Sequence, residues 1–182
     1  MIRACSFCGT VDGEEIDHFL PKEAYPELAV ATCNLVPACG RCNKKKDELV
    51  TSSSGARFPH PYFDPELKQE FLAVNLIQRS GRVVAASFKF DSTLVGADFA
   101  ERLTWLDERL GVLKRAQRAA NSELIARFDS VGLLLAPNSQ ALAEATDSEV
   151  VAGSARHGPN HWRVALYRAL LRHRGRQLTA GS

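Results

Sequence analysis

Two Cys-x-x-Cys pairs, Cys5/Cys8 and Cys39/Cys42, constrain this chain more than anything else in it. Residues 9–38 lie between them, so a single tetrahedral ion bound by all four thiolates ties residue 5 to residue 42. A segment this short buries too little apolar surface to fold firmly alone, and such a staple supplies what it lacks. Redox chemistry, simple burial, or an iron-sulfur cluster would also use cysteines, but the paired spacing favours structural zinc. A four-cysteine site is closed, so any catalysis belongs beside the zinc. The fifth cysteine, Cys33, reads as a small buried residue.

At 182 residues the chain fits one domain, or a small module joined to a modest second one. No run approaches the roughly 18 apolar residues a membrane span needs. "MIRACSFCGT" has no apolar core or cleavage site of a signal peptide, so a cytoplasmic protein is expected. The net charge of +2 is unevenly spread. After Glu149 there is no carboxylate, but there are six arginines: Arg156, Arg163, Arg168, Arg172, Arg174 and Arg176. Such a segment either attracts a polyanion or is an ordinary solvated surface.

The sequence predicts an α+β protein in three stretches. Residues 1–50 form a zinc-stapled module; 51–66, rich in Ser, Pro and Gly, form a linker or loop; 67–182 form a β-hairpin and a mainly helical region. "EFLAVNLIQRSGRVVAASFKF" reads as two strands turning at "RSGR". Phe99, Leu103, Leu106, Leu110 and Leu113 give one apolar stripe on a helix over 98–128, which Gly111 weakens or divides. Further helices are expected over 137–150 and 160–173, with Trp105 and Trp162 in the core.

Between the cysteine pairs stands "EEIDHFLPK". A carboxylate such as Asp17 suits a hard cation, and the adjacent imidazole of His18 can take a proton from water. Neighbours on a strand point to opposite faces, so a bend is needed to bring both to one phosphate. A helix beginning near Cys39–Arg41 turns about 100° per residue, so Cys42 and Asn43 diverge. Lys46, three residues on, shares Asn43's face and is a candidate phosphate contact. His60, in "FPHPYF", is a weaker candidate for the metal or phosphate.

"CSFC", "IDHFLPK" and "NLVPACGRCNKKK" together resemble the zinc-bearing subgroup of the HNH endonucleases, over residues 5 to about 47. The resemblance implies a ββα-metal module that hydrolyses phosphodiester bonds, with DNA the expected substrate. It makes His18 the general base and Asn34 the brace of the loop that orients it. Asp17 and Asn43 would hold one catalytic Mg²⁺ or Mn²⁺, and Cys5, Cys8, Cys39 and Cys42 a structural Zn²⁺. Products would carry a 5′-phosphate. Nucleases of this build serve bacterial phage defence or mobile elements. The C-terminal helical region would brace the nuclease, touch nucleic acid, or dock a protein partner or a second copy. The rival reading is a non-catalytic zinc module that binds nucleic acid or protein; it has no need of Asp17, His18 and Asn43 together.

Overall fold

The computed structural model describes residues 4–79, 82–126 and 140–180. It is a mixed α/β chain with two small antiparallel sheets and, among the described residues, five α-helices. The chain divides into two compact units, Met1–Gln69 with Ser92–Arg115, and Glu70–Asp91 with Ala116–Ser182.

In the first unit, β1 (Glu15–His18) pairs antiparallel with β2 (Leu35–Ala38), and α1 (Gly40–Lys46) follows at once. Register sets Asp17 opposite Val36 and His18 opposite Leu35. Pro37 cannot donate to a ladder and so belongs on an edge; its carbonyl instead accepts from Ser6 N at 2.9 Å. That bond places the first cysteine loop beside β2. The loop closes on itself through Cys5 N to Val11 O and Gly9 N to Cys5 O, with Gly9 at φ 61°, where glycine carries no Cβ penalty.

Residues 51–66 form a packed loop. Thr51 bridges to Arg57, and Phe58 is buried, stacked on Trp105 with centroids 4.0 Å apart. Trp105 lies on α2 (Ala97–Leu110), whose Phe99, Leu103, Leu106 and Leu110 are buried as their spacing predicts. Gly111, at φ 65°, ends α2 in the left-handed conformation. Leu113 therefore falls on the next helix, α3 (Val112–Leu124), and is only half-buried. Residue 128, the expected end of this helical stretch, lies outside the described residues. This apolar stripe is what returns 92–115 to the first unit, so the stretch 67–182 contributes to both units.

The second unit contains the hairpin of β3 (Leu72–Arg79) and β4 (Arg82–Phe90). A register shift at Ile77/Gln78 resets the side-chain alternation, which is why Val83, Ala86 and Phe88 are all buried. The helices α4 (Gln140–His157) and α5 (Trp162–Ala180) pack closely; a Cβ on Gly153 would meet Val164 at 2.8 Å. Residues 137–139 of the expected third helix lie outside the described residues. Asn160, between α4 and α5, accepts from Phe71 N and Leu72 N at 2.9 and 3.0 Å and so fixes the start of β3. Three of the six C-terminal arginines are paired internally, Arg163 with Glu123, and Arg168 and Arg172 with Glu70. They offer less free charge to a polyanion than the sequence count implies. No helix is long and apolar enough to cross a membrane among the described residues.

Candidate metal centre and active site

The Sγ atoms of Cys5, Cys8, Cys39 and Cys42 all lie within 4.8 Å of one another. Zinc–sulfur bonds of about 2.3 Å in a tetrahedron put the sulfurs about 3.8 Å apart, so this donor set fits Zn²⁺. Packed thiols also perturb one another's protons. Hydrogen bonds with Cys42 and Cys5 hold Cys8 far below the usual thiol range, while hydrogen bonds with Cys5 and Cys8, and then burial, push Cys42 far above it. A divalent cation resolves that crowding by taking all four as thiolates. Two further groups serve the sulfurs. Thr10 Oγ1 donates to Cys8 at 3.3 Å, and the Arg115 guanidinium donates to Cys42 at 2.9 Å and Cys39 at 3.4 Å. A four-thiolate zinc centre carries net negative charge, and Arg115 offsets part of it. Cys33 is exposed, contrary to its expected burial, and stands outside the cluster.

Beside this centre, α1 lies against β1, and the two spacings match. Glu15 and Asp17 alternate onto one strand face; Asn43 and Lys46 occupy one helix face. Asn43 Nδ2 donates to Glu15 Oε2 at 2.8 Å, and Lys46 Nζ reaches Asp17 Oδ2 at 3.0 Å. Glu15 also crowds the backbone at Gly40, where a Cβ would meet its Oε1 at 2.5 Å. The helix face opposite the zinc is thus occupied by polar pairs, as the divergence of Cys42 and Asn43 requires.

Lys46 has a different position from the phosphate contact its spacing suggested. It is 1% exposed, donates to the His18 carbonyl at 2.8 Å, and passes 5.9 Å from the Phe19 ring centroid. A buried ammonium held this way cannot reach outward to a substrate. Asp17 is buried too, and burial pushes its carboxyl up, against the pull of Lys46 and, less, of His18. Asp17 Oδ2 thus faces the Lys46 ammonium inside the fold, as a buried ion pair.

His18 ends β1, and its Nε2 lies 3.0 Å from the carbonyl oxygen of Ala29. A carbonyl only accepts, so Nε2 carries the hydrogen, and in the neutral ring the lone pair is on Nδ1. The loop presenting Ala29 is pinned by Asn34. Its Oδ1 accepts from Leu20 N at 2.7 Å, while its Nδ2 donates to Leu20 O at 3.0 Å and Leu28 O at 3.2 Å. Asn34 is itself buried. A chain of contacts therefore runs from Asn34 through the loop to the tautomer of His18.

His60 lies in an aromatic cluster, 4.1 Å from the Phe19 ring centroid and 4.5 Å from that of Phe63. Its Nδ1 accepts from Tyr62 N at 3.2 Å, and it hydrogen-bonds the Cys33 backbone. Burial pushes its imidazole below the usual range, against the pull of Asp64. These contacts pack His60 against Phe19 and make it a brace between the 51–66 loop and the end of β1. Asp64 accepts from His60 N and pairs with Arg102.

Sequence reasoning missed three of these participants. Glu15 had a signal, since it stands two residues before Asp17 on a strand. Arg115 and the Ala29 carbonyl had none, because only the tertiary fold brings them to the site.

The chain is 28% identical over 181 residues to protein ea31 of Escherichia phage lambda, an alignment covering 91% of this chain and 60% of that protein. It is 59% identical over 32 residues to Septu protein PtuB of Bacillus thuringiensis, covering 18% of this chain and 12% of the relative. The chain thus spans less than two thirds of either curated relative. No family model and no solved structure matches it.

Proposed function

We propose that this chain is a metal-dependent HNH endonuclease that hydrolyses phosphodiester bonds of nucleic acid, DNA in the first instance. The observation that carries the reading is the Nε2 contact of His18 with Ala29 O, which leaves Nδ1 as a base. His18 Nδ1 takes the proton of a water molecule, whose oxygen attacks phosphorus in line while the bond to the 3′ oxygen breaks. Asn34 does not touch substrate; it holds the loop that fixes the imidazole. Asp17 and Asn43 would hold the catalytic ion, since carboxylate and amide oxygens are donors a hard cation takes, and the ion would replace Lys46 at Asp17 Oδ2. When bound, Mg²⁺ or Mn²⁺ supplies stabilisation of the charge that develops on the phosphoryl and leaving oxygens. The likeness to a phage protein supports a place in phage biology, either in a mobile element or in defence against phage.

One observation favours the second reading, a non-catalytic zinc module. Asp17 already has a cation, Lys46, at 3.0 Å. Plasmid cleavage with Mg²⁺ or Mn²⁺, beside EDTA and a His18→Ala variant that retains zinc, separates the two. The nuclease reading expects metal-dependent cutting that falls by about 10²–10⁴ in the variant, the usual worth of a positioned base. Equal cutting by both proteins would remove His18 from its role. Binding without cutting by either would favour the binding module.

A further inference from the structure

Two of the largest exposed apolar side chains of the first unit stand together: Tyr62 at 45% and Phe63 at 64% exposure. Their placement is not casual. Tyr62 Oη donates to Leu35 O at 3.0 Å, and Leu35 is the residue paired with His18 across the strands. Phe63 rests on His60, which rests on Phe19, the residue after His18. The two exposed rings meet nearly edge to face, with centroids 6.4 Å apart at 88°. Both are therefore held at the end of the strand pair where His18 sits, and they present π surface to solvent.

Holding apolar rings in water is unfavourable relative to burying them, and fixing them in advance lowers the entropy lost on binding. That combination suits a ligand with flat faces. The helix that reaches His18 narrows its chemistry. Lys46, the last residue of α1, donates to the His18 carbonyl. Arg41, Lys44 and Lys45 are exposed on the same helix, with Lys45 also donating to Arg109 O, and α1 carries no carboxylate. Cations on the helix that reaches His18 and rigid aromatic rings anchored around the same residue are the combination that binds single strands, with cations on the backbone and π faces under the bases. In a paired duplex the base faces are stacked on one another and out of reach.

We propose that Tyr62 and Phe63 form a stacking platform for unpaired nucleobases, so that the His18 site takes single-stranded or locally unpaired nucleic acid. The proposal rests on the nuclease reading and adds its substrate class. A protein partner or a second copy of the chain is the competing occupant, and the exposed cations of α1 argue for the polyanion.

The test uses the whole 182-residue chain, zinc-loaded and carrying His18→Ala so that substrate survives, and measures binding of one labelled oligonucleotide as a single strand and as a blunt duplex. Phe63→Ala should weaken single-strand binding roughly tenfold, as loss of one stacked base does, and leave duplex binding within about twofold. Phe63→Trp should retain single-strand binding. Unchanged affinity in Phe63→Ala, or equal loss on both substrates, overturns the platform. So does a dimer in solution that Phe63→Ala disperses, which would make the rings a self-contact. Cleavage by protein with His18 intact keeps the two claims apart. If it cuts nucleic acid and Phe63→Ala changes nothing, only the platform falls. If zinc-loaded protein neither cuts nor binds, the nuclease reading falls with it.

Discussion

The two units differ in what they bury besides apolar side chains. Among the described residues, the first buries Asp17, Asn34 and Lys46 together with most of its thiol cluster. The second buries Phe71, Val83, Ala86, Phe88, Leu124, Val164 and Leu166, with Thr146 as its buried polar residue. Buried charge is costly and is tolerated where something else holds the structure together. In the first unit that support is the four-cysteine site together with an apolar core that includes Val36, Phe58, Phe99, Leu103 and Leu110; the second rests on apolar packing. The candidate chemistry falls in the unit that carries the cost.

The sharpest way to break this comparison is to remove the zinc. Structural zinc contributes on the order of 10 kcal/mol to small folds at neutral pH. Chelation should therefore unfold the first unit, with fast amide exchange over Glu15–His18 and Leu35–Ala38, while Leu72–Arg79 and Arg82–Phe90 stay protected. Hydrogen exchange followed by mass spectrometry reads both regions at once. Simultaneous loss of protection in both would mean that the apolar unit also depends on the metal.

Next in size is Lys46→Met. It leaves the Asp17 carboxylate buried without its cation and should cost about 3–5 kcal/mol in a thermal or urea melt. The pH dependence follows from the direction of the Asp17 shift. Burial already raises this carboxyl above its unfolded value, and removing Lys46 raises it further. At pH above the folded value the bare carboxylate carries the full penalty. As pH falls through that value it takes up a proton and the penalty shrinks, so the variant should regain stability relative to the parent on acidification. Recovery is partial, because the His18 carbonyl has still lost its donor. A penalty independent of pH would mean that packing, rather than charge, is what Lys46 contributes.

Arg115→Leu tests the metal centre more gently. Losing the donor to Cys42 and Cys39 should weaken zinc binding by about 10- to 100-fold without unfolding the protein at saturating zinc. Competition with a chromophoric chelator measures it, and an unchanged affinity would show that the negative charge is screened by water instead.

What could be read from the sequence follows the same divide. The cysteine pairs were visible because a four-thiolate site needs fixed local spacing, whereas Asn34 was marked only by the family resemblance. The stripe over Phe99–Leu110 was visible because helices repeat. The inward turn of Lys46 was not, since i, i+3 spacing shows that it shares a face with Asn43 but not that β1 covers that face. The return of 92–115 to the first unit was equally hidden, because it depends on Trp105 meeting Phe58 across 47 residues of chain, which no window of sequence contains. The place of Asn160 beneath two backbone amides was hidden too, since those amides lie 88 and 89 residues away along the chain.

Asn160→Ala is the smallest of these perturbations and addresses the second unit alone. It deprives the N–H groups of Phe71 and Leu72 of their shared acceptor. Both amides are partly buried, so water replaces the lost oxygen only in part, and the cost should be about 1 kcal/mol. If each unit stands on its own support, that cost appears as faster exchange at the start of β3, with zinc affinity and any cleavage by the His18 site unchanged. A fall in zinc affinity would show that apolar and metal-held regions are coupled, and that the cost of buried charge is borne by the whole chain.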